Sequence, residues 1–156
     1  MLIDQDLAVF MESPVMIILG SCDDLLQPQI GRAAGAIVDA QQGRVDLIVC
    51  AQEWPMTVAN VRQNGRLSAT FARPVDYVSY QAKGRASVMA ASDMHRTCSK
   101  GYIETMTSTL VALGLDRSVA TPWFADRELL ALSLFVETVF VQTPGEKAGQ
   151  MLKRQR

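Results

Sequence analysis

Histidine is almost missing from this sequence: His95 stands alone among 156 residues, so a metal site built from several imidazoles is unavailable. Only three cysteines occur, Cys22, Cys50 and Cys98. Their spacing gives neither a CxxC redox pair nor a zinc knuckle. Charge of one sign is also lacking. The formal net charge is −1, so there is no basic field to draw nucleic acid, and nucleic acid is not an expected partner. No apolar run reaches the length of a membrane span, and a membrane is not expected either. The opening Met-Leu-Ile-Asp-Gln-Asp has no basic n-region of a secretory signal. With reduced thiols, this leads to the expectation of a soluble cytoplasmic protein.

Familiar chemical motifs are missing too. No GxGxxG opens a helix after a strand, no phosphate-binding Walker loop is present, and no GxSxG elbow appears. No pair of carboxylates stands out for acid–base work. What remains is a chain that is 49% hydrophobic and 20% charged, a composition that excludes a disordered or collagen-like polymer. Its length suits one domain, able to bury roughly 70% of the unfolded surface without a staple. A single domain over 1–150 is expected, with 151–156 as a frayed C-terminal tail.

Asp4 caps a short helix carrying Leu7, Phe10 and Met11 at helical spacing. Val15 to Leu19 is a five-residue apolar run between Pro14 and Gly20, the pattern of a buried strand. Gln29 to Val38 reads as one strand rich in glycine and alanine, which suggests close packing against its backbone. Asp39 to Gly43 is a hairpin loop and Val45 to Ala51 the returning strand. Trp54-Pro55 opens a helix that ends at Asn64-Gly65, a left-handed cap signal. Leu67 to Phe71 is the next strand.

A long strand then runs from Tyr77 to Ala90. Val78, Tyr80, Ala82, Gly84, Ala86, Val88 and Ala90 share one face, and Tyr77, Ser79, Gln81, Lys83, Arg85, Ser87 and Met89 the other. The second set lines up donors, an acceptor and cations in one row. Such a row is either a solvated face or the lining of an anion site. Ser92-Asp93 caps the clearest helix, whose row Met94, Cys98, Tyr102, Met106, Leu110 and Leu113 is expected to pack on the sheet. The methionines are core residues on this reading, and His95 beside them is expected to be partly exposed rather than catalytic. A loop from Asp116 to Glu128 carries Trp123 and Phe124, which mark an interface, a ligand lid or a cover over an open barrel end. Leu129 to Val141 is the last long strand.

Arg32 stands within the small-residue strand. It is either an outward, solvated arginine or a guanidinium held above a shallow floor to grip an anion. Composition and spacing alone lead to a six-stranded, mainly antiparallel β domain with helices. They name no reaction.

Several stretches together resemble a known family. They are the buried strand before Ser21-Cys-Asp-Asp24, Arg32 in the small-residue strand, Val45 to Ala51, the helix ending Asn60-Val-Arg-Gln-Asn-Gly65, Tyr80-Gln-Ala-Lys-Gly84, and the terminal Gln142-Thr-Pro-Gly145. From Val15 to Gly149 the chain resembles the pyridoxamine 5′-phosphate oxidase-like, FMN-binding split-barrel family. The resemblance implies a six-stranded antiparallel split β-barrel and a homodimer with FMN at the subunit interface. Haem or a deazaflavin in the same groove are weaker alternatives, since His95 is the one conventional imidazole for haem iron. The resemblance further implies that Arg32 meets the FMN phosphate and that Cys50-Ala51 runs along the flavin. Met56 and Thr57 would offer helix N-terminal amides, and Ser79, Gln81 and Lys83 would face the same groove. The sequence departs from the family at Met56 and Thr57, positions that are often basic, which removes cationic contacts to the phosphate. Lys83 or Arg62 can compensate. The family's pyridoxine-phosphate substrate residues are not recognisable. The implied function is a small FMN-dependent oxidoreductase acting on a small-molecule redox substrate, or alternatively a cofactor-binding dimer without efficient turnover.

Overall fold

A computed structural model describes residues 2–153 of the chain. Helix α1 (Gln5–Glu12) starts where the Asp4 carboxylate accepts the Leu7 amide at 2.9 Å. There follow β1 (Met16–Cys22), β2 (Pro28–Ala33), β3 (Ala36–Asp39), β4 (Arg44–Cys50), α2 (Pro55–Asn64), β5 (Arg66–Ala72), β6 (Ser79–Ala90), α3 (Asp93–Ala112), α4 (Arg117–Ala120) and β7 (Leu129–Val141). The strands form one antiparallel sheet in the order β2-β1-β5-β6-β7-β4-β3.

Among the described residues seven strands are present where six were expected. The difference lies at Ala34-Gly35, which divides the expected Gln29 to Val38 strand. Gly35 has φ 136°, a conformation that side chains resist. A Cβ there would also crowd the Ile48 side chain at 3.1 Å. The bend lets β2 pair with β1 and β3 pair with β4. Ala34 N–H donates to the Ile48 carbonyl at 2.7 Å, and Ile48 N–H donates to the Gly35 carbonyl at 3.0 Å. The two ends of the sheet therefore meet, and the sheet closes into a barrel.

Alternation along each strand fills that barrel. Ile17 and Leu19, Leu67 and Phe71, Val45 and Leu47, and Leu132 and Leu134 all point inward and are buried. Truncating one of the larger of these to alanine costs about 2–5 kcal/mol. Helix α2 stops one end of the barrel with Val58 and Val61. As expected, it ends at Gly65, whose φ is 69° and whose N–H reaches the Val61 carbonyl.

Four other expectations change. Tyr77 is not the first residue of β6: it sits in a turn at φ 62°, closed by Arg73 N–H donating to the Val78 carbonyl. Helix α3 presents His95, Ser99, Met106 and Leu110 to the protein, whereas Met94 and Leu113 are 64% and 51% exposed. The buried row thus begins one residue later than hydropathy suggests, because partners satisfy the His95 ring. The Asp116 to Glu128 stretch contains α4 and a 3₁₀ turn at Thr121–Trp123. Finally, Met151 and Leu152 are not frayed. Leu152 N–H donates to Val139 and Met151 bridges Phe140, extending the free edge of β7. Residues 154–156 lie outside the described residues. Among the described residues, no helix is long and apolar enough to cross a membrane.

Candidate functional site

The inward set leaves a complementary outward set. Register places Arg32 opposite Ile18, Ile18 opposite Thr70, and Thr70 opposite Gln81. These four residues make one row across β2, β1, β5 and β6. Three inter-strand steps separate Arg32 from Gln81, about 14 Å along the sheet at ~4.8 Å per step. The next outward row is Ile30, Gly20, Ser68 and Lys83.

At one end of the first row the Arg32 guanidinium lies 4.7 Å from the centroid of the Trp123 ring. Its Nη1 is buried and, among the described residues, has no hydrogen-bond acceptor. A buried, unpartnered guanidinium nitrogen is an unmet demand for an anionic oxygen. Phe124 is buried within the chain, packed edge-on to Tyr102 at 5.9 Å. Of the two adjacent aromatics, only Trp123 therefore serves the outward face. Tyr102 donates its hydroxyl to the Val15 carbonyl at 2.7 Å. Burial pushes its phenol well above the ordinary tyrosine range, so it remains a donor.

At the other end the Gln81 amide nitrogen donates to Thr70 Oγ1 at 3.0 Å, and Gln142 Nε2 approaches Gln81 Oε1 at 3.5 Å. Ser79 is buried because the chain after β7 folds over it. Ser79 N–H donates to Thr143 Oγ1, and Ser79 O accepts the amides of Gln142 and Thr143. Lys83 extends over the Phe140 ring, 5.0 Å from its centroid.

The structure thus sorts the candidate residues into two groups. Arg32 on β2, Cys50 and Ala51 at the end of β4, and Met56 and Thr57 at the start of α2 form one group, since β2 packs against both β4 and α2. Ser79, Gln81 and Lys83 lie on β6, near the opposite end of β7 from Cys50: Cys50 pairs with Leu129, Gln81 with Phe140. Within the first group Thr57 faces inward. It is 1% exposed, and a Cβ on Gly31 would meet its Oγ1 at 2.5 Å. Gly31 points inward and Arg32 outward, so the Thr57 hydroxyl is not offered to the Arg32 face. Met56 is 52% exposed, and Cys50 is buried. Gln142 and Thr143 join the second group as residues that no local pattern marks. The only sequence hint was the Gln142-Thr-Pro-Gly145 stretch as a whole.

His95 is buried rather than partly exposed. Its Nδ1 accepts the Ser92 N–H at 3.0 Å, and its Nε2 lies 3.4 Å from Asp46 Oδ2. Asp46 also accepts the Ser133 hydroxyl at 2.7 Å. The histidine and the serine both spend themselves on one buried carboxylate, so this cluster braces α3 against β4 and β7.

No protein-family model matches the sequence, and no curated protein matches it. Solved structures do match. HupZ from Group A Streptococcus superposes with a TM-score of 0.58 at 16% identity, covering 94% of this chain and 99% of that one. A putative pyridoxamine 5′-phosphate oxidase from Lactobacillus delbrueckii gives 0.55 at 12% identity, over 88% and 93%. HutZ, the haem storage protein from Vibrio cholerae, gives 0.53 at 13%, over 90% and 95%. The chain has the fold of the pyridoxamine 5′-phosphate oxidase-like split barrels. The mainly β, antiparallel barrel expected from the sequence is thereby confirmed, with one strand more. At these identities the likeness is one of fold, and this split barrel's chemistry rests on its own residues.

Proposed function

We propose that this split barrel is a small FMN-binding oxidoreductase that works as a homodimer on a small-molecule redox substrate. The observation that carries the reading is the outward row from Arg32 to Gln81, with an unpartnered guanidinium nitrogen at one end. FMN, when bound, supplies the electron-accepting ring. Arg32 holds the phosphate through charge-assisted hydrogen bonds, with Trp123 limiting water at its other face. Gln81, fixed by Thr70, orients the flavin through its amide, and Lys83 adds positive potential on the same face. Met56 supplies apolar surface and Cys50-Ala51 the backbone beside the ring. Thr57 serves from below, by letting β2 approach α2 closely at Gly31.

The separation of the two residue groups supports a dimer, because a second copy can bring its Gln81 group to the Arg32 group of the first. Ile30, 69% exposed, and Phe135, 56% exposed, lie on the outward face and provide apolar area for such an interface. The test is the visible spectrum of the purified protein, an FMN titration, and bleaching by NADH or NADPH. A flavin spectrum with bleaching supports the enzyme. A flavin spectrum without bleaching supports the alternative, a cofactor-binding dimer without efficient turnover. No flavin uptake rejects both.

The likeness to HutZ raises a haem reading, which a Soret band on haem titration would support. Against it stands His95, the only imidazole, with both ring nitrogens engaged and 4% exposure.

A further inference from the structure

A groove of about 510 Å³ opens on the outward face beyond the Gln81 row. Gly20, Ser68, Arg66, Lys83, Arg85 and Glu137 line it. Its size is that of a small-molecule pocket. Three cations against one carboxylate give it an anion-attracting field.

The placement of the two arginines is the notable feature. Arg66 on β5 and Arg85 on β6 are directly opposed in register, with side chains on the same face. Like charges directly opposite each other destabilise a sheet. Among the described residues, neither arginine, nor Lys83 two residues along β6, has a carboxylate within ion-pair distance. Local structure nonetheless enforces the juxtaposition. Arg66 N–H donates to Asn64 Oδ1 at 2.9 Å, and Arg85 Nη1 donates to the Asn64 carbonyl at 2.9 Å, so one corner holds both residues.

The floor of the groove is kept low. At Gly20 a Cβ would meet Ser68 Oγ at 2.6 Å; on the neighbouring strand a Cβ at Gly84 would collide with the Phe135 backbone carbonyl, so only glycine fits there. Gly84 lies at a β-bulge, where register passes from Lys83–Thr138 to Gly84–Val136 and leaves Glu137 without a register partner. Glu137 then sets one wall, and the lining keeps an excess of two positive charges.

We infer that this groove is a binding site for the phosphate or diphosphate group of a small molecule, clamped between Arg66 and Arg85 with Lys83 beside them. A phosphoryl oxygen set between the guanidinium groups turns their repulsion into two charge-assisted contacts. The site is separate from the Arg32 end of the row and stands whether or not the protein binds flavin.

The probe is inorganic pyrophosphate, titrated calorimetrically into the full chain at constant ionic strength in chloride. Saturable binding is expected, weakened at least tenfold in Arg66→Gln and in Arg85→Gln, partly kept in Arg66→Lys, and unchanged in Lys100→Gln, an exposed cation on α3 away from the groove. Arg66→Gln should also unfold at the same temperature as the parent or higher, since it relieves a like-charge pair. Absence of saturable binding overturns the inference, as does equal binding by Arg66→Gln. Loss in Arg32→Ala with retention in Arg66→Gln overturns it too, because the anion then sits at Arg32. FMN titration of the same variants separates the two readings: failure of FMN to bind, with pyrophosphate binding retained, rejects the flavin alone.

Discussion

Trp123 covers Arg32: the guanidinium carbon stands 4.7 Å from the ring centroid, while Nη1 on the same group has no acceptor among the described residues. An arriving phosphate therefore breaks no ion pair. Arg32→Ala is expected to weaken FMN binding roughly ten- to hundredfold, the loss of one charge-assisted contact of about 1.5–3 kcal/mol. The apoprotein should lose only the cation–π contact, about 0.5–1 kcal/mol, or roughly 2–4 °C at most in Tm. A large fall in Tm with unchanged FMN affinity would identify Arg32 as a packing residue.

Gln81 bonds to Thr70 and faces Gln142. A neutral amide is worth only about 1 kcal/mol in a contact. Gln81→Ala should therefore shift the absorption or reduction rate of bound flavin more than it changes the FMN dissociation constant. Titration and stopped-flow reduction of one preparation compare the two. A variant with a parental spectrum and rate but greatly reduced affinity speaks against an orienting role.

Thr57 looks from the sequence like a lost phosphate ligand, and restoring lysine looks like a gain. The structure reverses that expectation. Thr57 is 1% exposed with Gly31 packed over it, so Thr57→Lys forces a charge and extra volume into the barrel end. A loss of about 3 kcal/mol or more is expected, readable as a lower urea midpoint, with Thr57→Ser close to the parent. A stable Thr57→Lys protein with tighter FMN binding would place this side chain on the ligand side after all.

Period-two alternation made the strands legible, and with them the division of β6 into a packed and a polar face. Caps at Asp4, Ser92 and Gly65 were legible because they are local. The bend at Gly35 was not, since a glycine among alanines reads as a weak strand until Ile48 supplies its cross-barrel partners. Arg32 was visible as a cation on a small-residue strand, but its stacking on Trp123 joins residues 91 positions apart. The Asp46–His95–Ser133 cluster was invisible for the same reason: each residue lies on a different element, and only tertiary packing brings them together.

That cluster makes its own prediction. His95→Ala removes a partner of the buried Asp46 carboxylate and the acceptor for Ser92 N–H at the start of α3. An unsatisfied buried group costs about 1–3 kcal/mol, and a lost helix cap adds ~1 kcal/mol. Denaturant unfolding should show a loss in that range. Asp46→Asn with His95→Ala should cost less than the sum of the single changes, because the two residues share a contact. Additive effects would mean that the 3.4 Å approach contributes nothing.

The turn before β6 sets an acid response. Arg73 Nε and Nη2 both donate to the Asp76 carboxylate, at 2.8–3.1 Å, and Asp76 Oδ1 accepts the Val78 amide at 3.2 Å. The hydrogen bond from Arg73 is the main cause holding the Asp76 carboxyl below its ordinary value near 3.8. A carboxyl whose folded pKa is depressed contributes stability that is complete above the unfolded pKa. That contribution disappears as pH falls through the folded pKa. The difference in Tm between the parent and Asp76→Asn should therefore stay constant from neutral pH down to about 5, then shrink as pH drops below about 3.8. Both groups are exposed, so the difference itself should be small and should diminish further in high salt. Parallel Tm curves for the two proteins down to pH 2.5 would show that Asp76 titrates alike in the folded and unfolded chain, against a depressed folded-state value.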